Sequence, residues 1–108
     1  MPLDLPPCIA RYLAWENAPE TGTLTDCFAA DAVVRDEGRE MTGLDAITAW
    51  KTASREKYQH SIEPLESATR DGKVVVTGKV TGNFPGSPVN LHFAFTLRGD
   101  RIAALEIQ

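Results

Sequence analysis

The stretch Phe28–Trp50, FAADAVVRDEGREMTGLDAITAW, decides the fold. It predicts the end of a helix, a short strand over 33–36, a tight return at 37–39 and the start of an amphipathic helix. Gly38 can adopt the positive φ that such a return requires. Asp36 ends the β-branched run, where an ionised carboxylate gains nothing from burial. That carboxylate is therefore the first candidate for chemistry.

Apolar spacing before this stretch predicts a first helix from about Pro6 to Asn17. A second, shorter helix is expected to begin at a cap formed by Thr21 or Thr23 and to run through Ala29. Glu16 lies at the end of the first helix, so we expect it at a solvated rim. The apolar face of that helix carries Leu5, Ile9, Tyr12, Leu13 and Glu16.

The helix that follows Gly43 has one predicted inward side and one charged end. Its inward side carries Ala46, Ile47, Trp50, Ala53 and Ser54. Its last turns are expected to be solvated, because they carry Lys51, Arg55, Glu56 and Lys57.

From His60 onward the pattern changes to the period of two that β-strands show. Alternation over 74–80 and 89–97, with turns at 71–72 and 98–100, predicts four long antiparallel strands. Helices first and strands last predict one α+β domain over residues 1–108, with the helices on one face of the sheet. Several strands carry apolar residues on both faces, so we expect a homodimer through the sheet face.

Composition excludes several classes of partner. The chain has 108 residues, a net charge of −4 and no run of Lys or Arg. Nucleic acid and anionic membrane surfaces need a concentrated basic patch, so neither is expected. No signal-peptide pattern and no membrane-spanning run occurs. Cys8 and Cys27 are expected to be free buried thiols, which indicates a cytoplasmic protein.

Three stretches carry a resemblance to a known family, namely Phe28–Asp36, Gly43–Ile47 and Phe95–Leu105. Together they resemble the nuclear transport factor 2-like superfamily, which implies a cone-shaped α+β fold of N-terminal helices on a curved, mainly antiparallel sheet. The similarity is greatest to ketosteroid isomerases and SnoaL-like polyketide cyclases. This scaffold hosts unrelated functions, so the resemblance specifies the fold more closely than the activity.

The resemblance implies a base and a hydrogen-bond donor. Asp36 matches the general base of the isomerases, and Tyr12 matches the phenol that binds the substrate oxygen. The isomerases also carry a protonated Asp in the penultimate strand, whereas the matching segment Leu91–Phe95 has no carboxylate. Tyr12 would then act alone or with another donor such as His92.

These residues predict a cofactor-free isomerase, cyclase or dehydratase that acts on a small hydrophobic carbonyl compound. No P-loop, dinucleotide fingerprint or metal motif occurs in the sequence. A non-catalytic ligand-binding protein and a dimeric assembly module are the alternatives. Side chains that could line a pocket for a flat apolar ligand are Trp15, Phe28, Trp50, Phe84, Phe93 and Phe95.

Overall fold

The computed structural model describes residues 5–17, 27–36, 38–58 and 60–108. These residues form two helices and six strands. In chain order the elements are α1 (Pro7–Asn17), β1 (Phe28–Asp36), β2 (Arg39–Thr42), α2 (Leu44–Tyr58), β3 (Ser61–Arg70), β4 (Lys73–Thr81), β5 (Val89–Arg98) and β6 (Arg101–Ile107). The first helix and the four long C-terminal strands confirm the sequence predictions.

The six strands form one open, curved sheet in the order β2-β1-β6-β5-β4-β3. Strands β1 and β6 run parallel, and the other neighbouring pairs are antiparallel. The two helices pack against this sheet, so the predicted α+β architecture is confirmed. The parallel register places Asp36 opposite Ile107, at the end of both strands.

Tight turns connect the antiparallel strands where the sequence predicts them. Asp71 and Gly72 have φ values of 53° and 77°, the pair of positive angles that a type I′ hairpin turn requires. Gly38, between β1 and β2, has a φ of 76°. These turns fix the register that brings alternate side chains to the helix-covered face.

The core lies between the helices and that inner face of the sheet. Tyr12 on α1 makes edge-to-face contacts with Phe28 and Phe95, with ring centres 5.7 and 5.8 Å away. All three side chains are fully buried. Burial of large aromatic side chains and their edge-to-face geometry both stabilise such a core.

The predicted end of the second helix is wrong. Phe28 and Ala29 belong to β1, and Phe28 pairs with Ile102 in the parallel ladder. A register irregularity between Phe28 and Val33 breaks the alternation of side chains, which is why the start of this strand shows no period of two. The rest of that predicted helix lies outside the described residues.

Candidate functional site

A cavity of about 490 Å³ opens between the helices and the inner face of the sheet. Its volume falls within the range of small-molecule sites. Its walls are mainly apolar, and four ionisable residues interrupt them: Glu16, Asp36, Lys51 and His60. The apolar lining includes Trp50, Ile62, Val80, Phe84, Pro85, Val89, Leu91, Phe93 and Ile107.

Glu16 is the centre of a hydrogen-bonded cluster at one part of this cavity. The helical period of α1 places it one turn beyond Tyr12, whose hydroxyl donates to Glu16 Oε2 at 2.7 Å. His60 Nε2 lies 3.2 Å from Glu16 Oε1. Lys51 Nζ donates to Glu16 Oε2. The expectation of a solvated rim for Glu16 is wrong, because its side chain is completely buried.

Lys51 reaches this cluster from α2. It lies four residues after Ile47 and therefore on the same buried side of the helix. Its Nζ is 4.4 Å from the centre of the Trp50 ring, a cation–π contact. The expectation that Lys51 is solvated is wrong: 3% of the residue is exposed. The carboxylate of Glu16 compensates for the lost hydration of the ammonium.

The electrostatics of the cluster keep Glu16 ionised and Tyr12 neutral. Burial acts to raise the pKa of Glu16, but the Lys51 charge and the His60 hydrogen bond outweigh it and lower that pKa from 4.5 to about 2. Burial, and then the charge of Glu16, raise the pKa of Tyr12 well above 10. Tyr12 is therefore an uncharged phenol that donates a hydrogen bond to an ionised carboxylate near pH 7.

Asp36 lies at another part of the same cavity. It ends β1, faces Arg39 across the β1–β2 hairpin and is half-buried. It also borders an outer groove of about 400 Å³. Its negative charge makes a smaller contribution to the raised pKa of Tyr12 than burial and Glu16 do.

Comparison with known proteins identifies the family. The family model described as a SnoaL-like domain matches residues 9–105. The chain belongs to the SnoaL-like family. The resemblance drawn from the sequence is therefore confirmed. No curated protein matches this SnoaL-like chain.

Solved structures agree with this assignment. The chain is 44% identical to a "putative polyketide cyclase" from Sinorhizobium meliloti, with a TM-score of 0.92 and coverage of 97% of this chain and 96% of that one. A protein of ketosteroid isomerase-like fold from Catenulispora acidiphila, in complex with trimethylamine, is 20% identical (TM-score 0.82, coverage 97% and 86%). A protein from Sphaerobacter thermophilus is 26% identical (TM-score 0.71, coverage 94% and 91%).

The aromatic residues that the sequence predicts for the site fall into two groups in this SnoaL-like chain. Trp50, Phe84 and Phe93 line the cavity together with Asp36. The other four are not part of its lining. Tyr12, Phe28 and Phe95 are buried in the core, and Trp15 is half-buried against it.

Neither Tyr12 nor His92, the two candidate donors to the substrate oxygen, lines the cavity. The Tyr12 hydroxyl donates to Glu16. His92 is exposed on the outer face of the sheet and is also outside the cavity lining. Any donor to a bound oxygen must therefore come from the residues that line the cavity.

Sequence reasoning missed three residues of the cluster: Glu16, Lys51 and His60. The presence of Glu16 on an otherwise apolar helix face was the one available signal. The three come from α1, α2 and the residue before β3, so only the packing of these elements shows that they meet.

Within ranges 5–17, 27–36, 38–58 and 60–108, no group of three or more His, Cys, Asp and Glu side chains is arranged to hold a metal ion. Neither of the helices described is long and apolar enough to cross a membrane. Cys8 and Cys27 are both buried, and they form no disulfide.

Proposed function

We propose that this SnoaL-like protein binds a small hydrophobic carbonyl compound and abstracts a proton next to the carbonyl, as an isomerase or cyclase without a cofactor. The observation that carries this proposal is the cavity itself. Its apolar walls hold the Asp36 carboxylate in one place and a cationic lysine in another. Enolate formation needs a base for the carbon-bound proton and positive charge for the oxygen.

Asp36 is the base in this proposal. Its carboxylate takes the proton as the C–H bond breaks, and the electron pair of that bond moves onto the carbonyl oxygen to give the enolate. An isomerase returns the proton to another carbon. In a cyclase the enolate carbon attacks a second carbonyl of the same molecule, the π electrons of that carbonyl move onto its oxygen, and this oxygen takes the proton back from Asp36. The apolar neighbours Phe93 and Ile107 limit the hydration of the reacting atoms.

The relative from Sinorhizobium meliloti supports the cyclase form of the proposal, because it is similar along nearly the whole of both chains. The scaffold alone would not, since one fold carries many activities. The support therefore comes from the combination of this likeness with the carboxylate inside an apolar cavity.

The test is a fluorescence titration with a flat, polycyclic phenol that imitates an enolate. Trp50 lines the cavity and reports binding. We expect the phenol to bind the wild type and to bind Asp36→Asn more tightly, because the neutral amide imitates the protonated base. Asp31→Asn is the matched control: Asp31 lies on the same strand, is exposed and is outside the cavity lining.

The titration has three possible outcomes. Absence of binding to every variant overturns the proposal. Equal binding by the wild type and Asp36→Asn overturns Asp36 as the base and favours a non-catalytic ligand-binding protein. Tighter binding by Asp36→Asn, with Asp31→Asn unchanged, supports the proposed site.

We also propose a homodimer through the outer face of the sheet. Among the outward side chains of β4 and β5, Val75, Thr77, Ala94 and Thr96 form an uncharged area, which lies between the exposed Lys73 and Lys79 of β4. Ala94→Glu should place a charge there and give a monomer of unchanged circular dichroism, whereas Thr48→Glu on α2 should leave the dimer intact. Sedimentation analysis that finds a monomeric wild type, or a dimeric Ala94→Glu, would refute this.

We infer a reducing, cytoplasmic environment from Cys8 and Cys27, which are both buried and form no disulfide. Fractionation of cells that make the protein should place it with cytoplasmic markers. Recovery with secreted proteins would contradict the inference.

A further inference from the structure

The cavity holds a second element of the proposed reaction besides the base. In the isomerases that the sequence resembles, a phenol and a protonated carboxylic acid bind the substrate oxygen. Here the matching Tyr12 hydroxyl donates to Glu16 and lies outside the cavity lining. The negative charge of an enolate therefore requires a different partner.

We propose that the Lys51 ammonium stabilises the negatively charged oxygen of the bound enolate, with Glu16 and Tyr12 as positioning residues. This inference rests on the proposed function. Lys51 is part of the cavity wall, and apolar residues such as Trp50 and Phe93 surround the same space. A buried ammonium among apolar side chains acts on a developing charge far more strongly than one in water.

The surroundings of Lys51 fix its position before a ligand arrives. Its Nζ donates to Glu16 Oε2 and lies over the Trp50 ring. Tyr12 and His60 contact the same carboxylate and hold it in place. A donor that is already oriented costs little reorganisation when charge develops next to it.

Charge also moves in the favourable direction during the reaction. The ionisable groups that face Lys51 or share its cavity are Glu16, Tyr12, His60 and Asp36. Before proton transfer the mobile negative charge is on Asp36. Afterwards Asp36 is neutral and the charge is on the enolate oxygen near Lys51. The attraction therefore strengthens along the reaction, which is the condition for catalysis rather than mere binding.

The experiment measures the pKa and the affinity of a bound naphthol by absorbance. The parent protein carries the Asp36→Asn substitution, and so does every variant, so that the charge of Asp36 does not repel the naphtholate. Lys51→Met is compared with the parent, and Lys73→Met, an exposed lysine of β4 outside the cavity lining, is the control. We expect the parent to bind naphtholate at least tenfold more tightly than Lys51→Met does. Lys73→Met should match the parent.

One further measurement separates a failure of the proposed function from a failure of this inference. The methyl ether of the same naphthol cannot ionise, so its binding tests the cavity alone. Absence of ether binding to the parent overturns the proposed function and this inference together. Ether binding combined with equal naphtholate affinity in the parent and Lys51→Met overturns the inference alone. If Lys51→Met does not fold, Glu16→Gln/Lys51→Met, which removes both charges, replaces it with the same criterion.

Discussion

Replacement of Lys51 by Met tests whether the buried ion pair exists in solution. The substitution keeps an unbranched chain of similar length but leaves the Glu16 carboxylate buried without its ammonium partner. Removal of one partner of a buried pair costs about 3–5 kcal/mol of unfolding free energy. The pKa of Glu16 gives a second route to the magnitude. It falls from 4.5 to about 2, and one pKa unit corresponds to about 1.4 kcal/mol, so the ionised form is stabilised by about 3 kcal/mol.

Urea unfolding followed by circular dichroism provides the measurement. We expect Lys51→Met and Glu16→Gln each to lose about 3 kcal/mol or more, and the double variant to lose less than the sum, because it leaves no unpaired buried charge. Lys73→Met, at an exposed position, should stay within about 0.5 kcal/mol of the wild type. A loss below about 1 kcal/mol in Lys51→Met, or strict additivity in the double variant, would refute the buried pair.

Three further predictions concern Glu16, its hydrogen bond from Tyr12, and the packing of Gly78 in the sheet. The folded-state pKa of Glu16 is lowered, so the contribution of its carboxylate to the free energy of unfolding is complete above pH 4.5 and is lost as the pH falls toward 2. The difference in unfolding free energy between the wild type and Glu16→Gln should therefore narrow over this range, and a constant difference would contradict the lowered pKa. Tyr12→Phe removes a hydrogen bond to a charged group and should cost about 1.5–3 kcal/mol in urea unfolding, whereas no loss would show that the hydroxyl does not serve Glu16. Gly78→Ala would place a Cβ 2.9 Å from Ile62 Cγ2 and 3.0 Å from Phe93 Cε1, so we expect a loss of about 1–3 kcal/mol; a thermal midpoint equal to that of the wild type would contradict this close approach.

Local sequence signals were sufficient for the elements that they define directly. The helix at Pro7–Asn17 follows from the apolar spacing of its residues, and β4 and β5 follow from the period of two over 74–80 and 89–97. The hairpin at Asp71–Gly72 follows from residues that tolerate positive φ. The beginning of β1 could not be found in this way, because the irregularity after Phe28 hides its period.

The candidate site was only partly predictable for a related reason. Asp36 stands out because it ends a β-branched run, and it does line the cavity. Glu16 and Lys51 are 35 residues apart in sequence. Lys51 looks like a solvated side chain when its helix is considered alone, and the place of Glu16 on the apolar face of α1 indicates burial without indicating a partner. Their burial becomes favourable only when α1 and α2 pack with the two charges in contact. No local pattern contains that information.

The most direct test of the proposed proton abstraction is deuterium exchange, measured by proton NMR on cyclic ketones that the protein binds. We expect the wild type to replace the proton next to the carbonyl by deuterium. Asp36→Asn should do so at least about 100-fold more slowly, because general base catalysis contributes at least that factor. Asp31→Asn should match the wild type. Absence of exchange in every bound ketone, or equal rates in the wild type and Asp36→Asn, would contradict the account.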